Sequence, residues 1–218
     1  MSTGSTCPLC DAVSDTVFHR DPDRDYLRCA VCRLVFVPSD RLPSADIERA
    51  VYDRHQNDPG DAGYRAFLGR LFHPLRDRLA PGSRGLDFGS GPGPTLSVMF
   101  EEAGHMMAIF DPIYAPDPSV FDRRYDFITA TEVLEHIHHP AVDLARLWDC
   151  LKPGGWLGVM TKLVIDAERF ARWHYRLDPT HVRFYSRPTF EWLARHWGAT
   201  VVFVATDAAI FRKPARTD

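Results

Sequence analysis

The chain has 218 residues, of which 45% are apolar and 25% charged, with a formal net charge of −3. That composition supports one domain with a real core plus a small appendage, and the weak net charge excludes a strong field for nucleic acid or an anionic membrane. No apolar run approaches the roughly 18 residues a membrane-spanning helix needs, and "MSTGSTCPLCD" lacks a basic-then-apolar leader pattern, so the chain reads as soluble and cytoplasmic.

Four of the five cysteines form two pairs, Cys7-Pro-Leu-Cys10 and Cys29-Ala-Val-Cys32, separated by eighteen residues. Each short turn offers two thiolates, and a hairpin between the pairs can bring them together around tetrahedral zinc. Four sulfur ligands leave no open coordination position, which points to structural rather than catalytic metal. A redox CxxC would need a strand-to-helix context that is missing, and a reducing cytosol disfavours disulfides. "VFHRDPDRDYLRC" supplies a Pro/Asp turn between strand-like residues, and "RLVFV" reads as a last strand, so residues 1–38 are expected to form a zinc ribbon. Structural zinc supplies about 10–16 kcal/mol of apparent binding energy in finger peptides, enough to hold a module with little core. From Cys7 to Val37, Arg20, Arg24, Arg28 and Arg33 face Asp11, Asp15, Asp21, Asp23 and Asp25, a side-chain balance of −1 that argues against a phosphate-binding finger. Cys150 stands alone and reads as a small buried thiol.

Residues 39–82 form a linker and helical lead-in. "VPSDRLPSAD" ends in a helix cap at Ser44 or Asp46, and helices are expected over 46–55 and 62–80. Tyr64, Phe67, Leu68, Leu71 and Phe72 share a face of the second, which Pro81-Gly82 should end. The chain then alternates: strand 85–89, helix 94–103, strand 106–111, strand 126–131, helix 141–151, strand 156–162, helix 187–197, and strands 200–205 and 208–212. Strands interleaved with helices predict an α/β domain over 83–213 with a parallel sheet, and the tight turn at Thr206-Asp207 requires one antiparallel strand. Residues 214–218 read as a disordered tail.

Asp87-Phe-Gly89-Ser-Gly91-Pro-Gly93 sits where a strand turns into a helix. Bare backbone there lets a ligand approach, and the helix N-terminus offers amides to a carboxylate or phosphate; the plainer alternative is a structural turn. Asp111, closing the next strand, is placed to accept two ribose hydroxyls. "LDFGSGPG", "FD", "YDFITATEVLEHI" and "LKPGGWL" follow in order, and on these segments residues 84–204 resemble a class I S-adenosylmethionine-dependent methyltransferase. The similarity is greatest to the branch with "LEH" after the fourth strand and a later H-x-x-F-Y-S, here His181 to Ser186.

The resemblance implies that Asp87, Gly89, Gly91 and Gly93 surround the methionine portion of the cofactor. It places Asp111 on the ribose and Pro112 and Ile113 against adenine. It also implies that Thr131 and Glu132 line the cofactor, with His136 toward the substrate. One departure stands out: only thirteen residues separate Asp111 from Tyr125, too few for the family's next helix and third strand. The expected fold is therefore a Rossmann-like class I methyltransferase sheet lacking that strand, with order 2-1-4-5-7-6 and strand 7 antiparallel. The ribbon or the lead-in helices would cover the exposed edge. Asp117 and Asp122 are the candidates for the missing adenine contact.

Methyl transfer from a sulfonium needs an aligned acceptor and exclusion of water; an acidic acceptor also needs a base. Histidines gather after strand four (His136, His138, His139) and after strand five (His174, His181). His138 and His139 read as helix caps. His181 is the candidate base, with His136 beside the substrate; alternatively His181 fixes its loop through Asp178. By ligand type, His174, Asp178 and His181 could also hold a metal. Phe170, Trp173, Tyr175, Phe184 and Tyr185 form either an acceptor pocket or the packing of a long loop. The expected function is transfer of a methyl group from S-adenosylmethionine, with S-adenosylhomocysteine as product, to oxygen or carbon of a small-molecule acceptor. An RNA or protein methyltransferase using the ribbon for recognition is one alternative. A non-catalytic scaffold is another. Oligomeric state is left open.

Overall fold

The computed structural model describes residues 4–53 and 58–215; the end of the expected helix 46–55 and residues 216–218 of the expected disordered tail lie outside the described residues. The chain starts with β1 (Ser5–Thr6) paired to β2 (Val13–Ser14), followed by a hairpin of β3 (Val17–Arg20) and β4 (Asp25–Arg28), and then β5 (Val35–Phe36). The hairpin turns where Asp21 accepts the amides of Asp23 and Arg24 at 3.1 and 2.8 Å, the local bond that makes an Asp-Pro-Asp stretch a turn former.

Helix α1 (Ala45–Tyr52) follows Ser44, whose side chain makes no capping bond, whereas α2 (Ala62–Arg76) is capped by Asp61 through the amides of Gly63 and Tyr64 at 2.7 and 3.1 Å. Helix α2 stops four residues short of the expected 80. The residue before Pro81 disfavours the helical region, and the chain leaves through successive turns at Arg78 and Leu79.

The remaining elements are β6 (Arg84–Phe88), α3 (Thr95–Glu102), β7 (Met106–Phe110), β8 (Tyr125–Thr131), α4 (Pro140–Cys150), β9 (Leu151–Met160), α5 (Ala167–Ala171), β10 (Arg183–Phe184), α6 (Arg187–His196), β11 (Thr200–Phe203) and β12 (Ala208–Arg212). Six of the strands form one sheet in the order β11-β12-β9-β8-β6-β7. β7, β6, β8 and β9 run parallel, and β12 lies antiparallel between β9 and β11. Counted from β6 as the first strand, that is 2-1-4-5-7-6. Strand β9 begins at Leu151 rather than 156, because Lys152–Gly155 bulge out between its pairings with Tyr125 and Phe127.

Between β7 and β8 the chain forms a bridge of Asp111 to Ala115 and a turn of 3-10 helix, Pro118–Asp122. Phe121 from that turn meets Phe110 edge-on, 4.7 Å away, so this turn packs on β7 where the ribbon or the lead-in helices were expected; of those, the end of α1 reaches the loop, where Tyr114 donates to Asp53 at 3.1 Å.

Helices α2 and α3 cover one face of the sheet, where Leu68, Leu71, Phe100, Phe127, Met160 and Ile210 share a buried cluster; α4 and α6 cover the other through Leu144, Leu147 and Leu193. Gly158 lets α2 approach, since a Cβ there would lie 2.9 Å from Leu75. Truncating a buried aromatic such as Phe100 or Phe127 costs about 3–5 kcal/mol in cores of this kind.

The N-terminal strands do not stand apart from this domain. A second sheet runs β10-β5-β4-β3, so a strand from the far end of the chain completes it. Arg183 pairs with Phe36 and Phe184 with Val35; the buried Arg183 guanidinium donates to the carbonyls of Val37 and His138, each at 2.8 Å. Tyr26, Val35 and Val37 share a core with Phe170, Tyr175, Val182 and Phe184.

Candidate functional site

β6 delivers its last residues to a turn that only glycine tolerates at two points. Gly89 has φ 72° and Gly91 φ 64°, and Gly89 also packs so closely that a Cβ would meet Val133 Cγ2 at 2.3 Å. The amide of Gly89 donates to the Phe110 carbonyl at 2.7 Å, tying the turn to β7. Gly93 precedes Pro94 at the start of α3, whose first turn has no side-chain cap and no acidic residue. The Thr95 amide donates to the Gly93 carbonyl at 2.7 Å, and no side-chain cap takes the amides of Leu96 and Ser97 that follow it.

The two aspartates of the pattern divide the work. Asp87 is buried and accepts Thr129 Oγ1–H at 2.7 Å and Ser97 Oγ–H at 3.2 Å; burial pushes its carboxyl up to about 6, against those two bonds. It joins β6, β8 and α3 beneath the turn. Asp111 accepts the amide of Gly91 at 3.0 Å with one oxygen and those of Ile113 and Tyr114 at 2.9 and 3.0 Å with the other. Three of its roughly four lone-pair directions are thus set by backbone. Pro112 is exposed and Ile113 half-buried beside it. Asp117 is committed to the amide and hydroxyl of Ser119, at 3.0 Å each.

At the end of β8, Thr131 leads into Glu132, a non-glycine residue at φ 52°, whose amide donates to the Met160 carbonyl at 2.7 Å. Its Oε1 is buried with no hydrogen-bond partner, and burial, then Glu135 and Asp207, pushes the carboxyl up to about 8. A candidate group that sequence reasoning passed over is Glu135. It is fully buried, accepts the Tyr175 hydroxyl at 2.6 Å through Oε1, and leaves Oε2 unpartnered. Tyr175 also meets Thr161 Oγ1 at 3.2 Å. The signal was present as the glutamate of "LEH", an ionisable residue directly after the buried Leu134 and two before the buried Ile137.

His136, after β8, and His181, before β10, come together with ring centroids 4.7 Å apart. Nδ1 of His136 bonds to the Thr180 carbonyl at 3.2 Å, and Nδ1 of His181 to the Tyr175 carbonyl at 2.6 Å. His181 is therefore fixed twice, its ring by the Tyr175 carbonyl and its amide by the Asp178 carbonyl at 3.2 Å, while the Asp178 carboxylate lies 4.0 Å from Nε2 and uses its other oxygen for the amide and hydroxyl of Thr180. Burial, followed by the neighbouring His136, holds the His181 imidazole below its usual range. Among the described residues the set His174, Asp178 and His181 does not converge: His174 instead faces Lys162 at 3.5 Å. His138 approaches Glu48 at 2.8 Å, and His139 stands at the α4 N-cap without a side-chain bond, so neither is a side-chain cap.

The aromatics of this loop are mainly packing. Phe170, Tyr175, Phe184 and Tyr185 are buried, and Phe170 meets Phe18 and Tyr26 of the N-terminal strands at 5.3 and 5.1 Å. Phe170 and Trp173 also line a cleft of about 440 Å³ with Arg70, Lys162, Val164 and Asp207, beyond the end of β9. A cleft of about 480 Å³ on the N-terminal strands contains none of these residues.

The four cysteines converge. Cys7 Sγ lies 3.5 Å from Cys32 Sγ, and Cys10 Sγ 3.5 Å from Cys29 Sγ, with all four within 4.8 Å and none in a disulfide. A tetrahedral zinc with bonds of about 2.3 Å needs sulfurs about 3.8 Å apart, so the donor set fits that ion. The two turns repeat one geometry: the Cys7 amide donates to Ala12 and the Cys29 amide to Leu34, each at 2.9 Å, while Asp11 and Arg33 take φ 59° and 66°. Cys150 is buried, its Sγ 3.4 Å from the Phe121 carbonyl.

A family model described as a methyltransferase domain matches residues 60–204, two thirds of the chain, and the chain belongs to that family. Its fold is that of S-adenosylmethionine-dependent methyltransferases. Among solved structures it is similar to the Burkholderia thailandensis 1,6-didemethyltoxoflavin-N1-methyltransferase, with bound 1,6-didemethyltoxoflavin and S-adenosylhomocysteine; identity is 17%, TM-score 0.59, covering 92% of this chain and 100% of that one. It is also similar to the Synechocystis PCC 6803 magnesium protoporphyrin IX methyltransferase with bound S-adenosylhomocysteine, at 13% identity and TM-score 0.50, covering 77% of this chain and 93% of that one. A complex of the Haloferax volcanii Trm112 methyltransferase activator with a putative methyltransferase gives 12% identity and TM-score 0.52 over 81% of this chain and 100% of that one. No curated protein matches the chain. No helix among the described residues is long and apolar enough to cross a membrane.

Proposed function

We propose that the protein transfers a methyl group from S-adenosylmethionine to oxygen or carbon of a small-molecule acceptor. The observation that carries this reading is the glycine turn bonded to Asp111 at the C-terminal ends of the parallel strands, beside an α3 N-terminus that no side chain caps. The residues fit the cofactor by type: amides of the helix end for its carboxylate, the lone-pair direction Asp111 has left for a ribose hydroxyl, and Glu132, whose buried Oε1 has no partner, near its positive portion. Gly89, Gly91 and Gly93 give the backbone close approach, Asp87 braces the turn, Thr131 lines the site, and Pro112 and Ile113 flank adenine. Bound, the cofactor supplies an electrophilic methyl on a sulfur that leaves as a neutral thioether.

This chain then has to align the acceptor and keep water out. The cleft beyond β9 offers apolar walls at Val164, Phe170 and Trp173 and cations at Arg70 and Lys162 for that acceptor. His181 and His136 hold Nδ1 protons on carbonyls, which leaves Nε2 of each imidazole as the basic nitrogen for an acceptor proton. The same reading takes residues 1–38 as a module built on structural zinc held by Cys7, Cys10, Cys29 and Cys32, residues 39–82 as the lead-in and 83–213 as the cofactor domain. The test is calorimetric titration with S-adenosylhomocysteine. Micromolar affinity, on the order of −8 kcal/mol, supports the reading, and a folded protein that binds none of it refutes the reading. Asp111→Ala should abolish both binding and transfer.

A further inference from the structure

We propose that Glu135, His136 and His181 form a divalent-cation site, distinct from the four-cysteine site and assembled where "LEH" meets H-x-x-F-Y-S. One ligand atom from each of the three residues lies within 4.8 Å of the others. Bonds of about 2.0–2.2 Å from imidazole and carboxylate to a first-row ion place ligands about 3–3.5 Å apart, so the side chains close by roughly 1 Å on binding. Two histidines and one carboxylate are a recurrent donor set for divalent first-row metals.

Three features make this a built site. Each ring donates its Nδ1 proton to a main-chain carbonyl, Thr180 for His136 at 3.2 Å and Tyr175 for His181 at 2.6 Å, which puts both lone pairs on Nε2. That is the outer-shell bond by which metal-binding histidines are oriented. Glu135 is 0% exposed; Tyr175 holds its Oε1 at 2.6 Å, and its Oε2 has no partner in an interior where an orphaned carboxylate oxygen is costly. The two ring planes are inclined at 64°, converging rather than stacking. His181 also arrives on the segment that β5 clamps through β10, so its position is set by strand pairing rather than by a free loop.

The use of the ion rests on the proposed methyl transfer; its existence does not. In that reaction the ion occupies Nε2 of both rings and so replaces them as the means of activating the acceptor: it takes an acceptor hydroxyl as a further ligand, and the hydroxyl proton passes to water. The O–CH₃ bond then forms as the S–CH₃ bond breaks, its electron pair staying on sulfur.

Mn²⁺ is the probe, since imidazole and carboxylate accept it while thiolates select zinc. The zinc-loaded full chain, titrated with Mn²⁺ and followed by electron paramagnetic resonance without cofactor or acceptor, should bind one ion. Glu135→Gln keeps the shape and an acceptor for the Tyr175 hydroxyl, and His136→Gln alters a partly exposed ring. Each removes a proposed ligand and should weaken Mn²⁺ binding by at least the roughly 10-fold that loss of an outer-shell partner costs, while circular dichroism stays native. A folded wild-type chain that binds no Mn²⁺, or binding unchanged in both variants, overturns the site. Mn²⁺ binding without S-adenosylhomocysteine binding would refute the methyltransferase reading and leave the cation site standing; the converse would remove only the cation site.

Discussion

Arg24, on the N-terminal hairpin, is one of the residues through which that module reaches the candidate site. Its guanidinium donates to the carbonyls of Asp178, Pro179 and His181 at 3.1, 3.2 and 3.3 Å and, closer still, to that of Arg176. Arg24→Met keeps most of the stem and removes all four bonds. A hydrogen bond to a charged group contributes about 1.5–3 kcal/mol, but two of these are long and the guanidinium is partly exposed, so the carbonyls can turn to water. The net cost should be about 2–3 kcal/mol, read as a shift of the urea midpoint at constant slope for zinc-loaded protein. Since the released carbonyls belong to the segment that carries Tyr175 and His181, methyl transfer should fall more steeply than affinity for S-adenosylhomocysteine. A midpoint loss below about 0.5 kcal/mol, or a full loss of stability with unchanged transfer, would refute the idea that the module braces this segment.

Three further outcomes follow. Asp87 has a folded pKa of about 6 against an ordinary 3.8, so its burial costs stability above pH 6 and costs nothing below the unfolded value. Urea midpoints should therefore fall as pH rises between about 4 and 6, by at most about 3 kcal/mol, and Asp87→Asn should flatten that slope. Gly89→Ala combines a left-handed φ with a 2.3 Å approach to Val133. It should cost about 2–5 kcal/mol, and adding Val133→Ala should return the packing share but not the backbone share, as a double-mutant cycle would measure. Removing metal from the cysteine module with a strong chelator should lower the melting temperature of the whole chain in one transition, because β5 pairs with β10; two separate transitions in calorimetry would refute that coupling.

The strand and helix alternation from 84 to 212 was legible because apolar runs, glycine turns and proline breaks are local signals. The same is true of the cysteine turns, whose spacing alone brought four sulfurs together. What escaped was set by pairing across long separations. "VRFYS" contains a two-residue strand whose partner lies about 150 residues earlier, and no periodicity within five residues reveals that. Glu135 escaped because its burial is defined by Tyr175, forty residues on. His181 was identified by type and position, yet its anchor proved to be a carbonyl, which side-chain chemistry cannot announce.

The arginine content takes on a different meaning once these pairings are known. Arg24 caps four carbonyls, Arg183 is buried between Val37 and His138, and Arg176 pairs with Asp21 at 2.6 Å. All three lie at the junction between the N-terminal strands and the segment carrying His181. A phosphate-reading surface needs its cations exposed and unspent, whereas these guanidiniums use their donor forks on main chain and on one aspartate. Arginine suits that task because it stays charged when half-buried and can satisfy several carbonyls at once. Arg24 and Asp21 of the module, with Arg176 and Arg183 opposite them, thus serve an internal interface, which ties four cysteines near one end of the chain to two histidines and a glutamate at the candidate site.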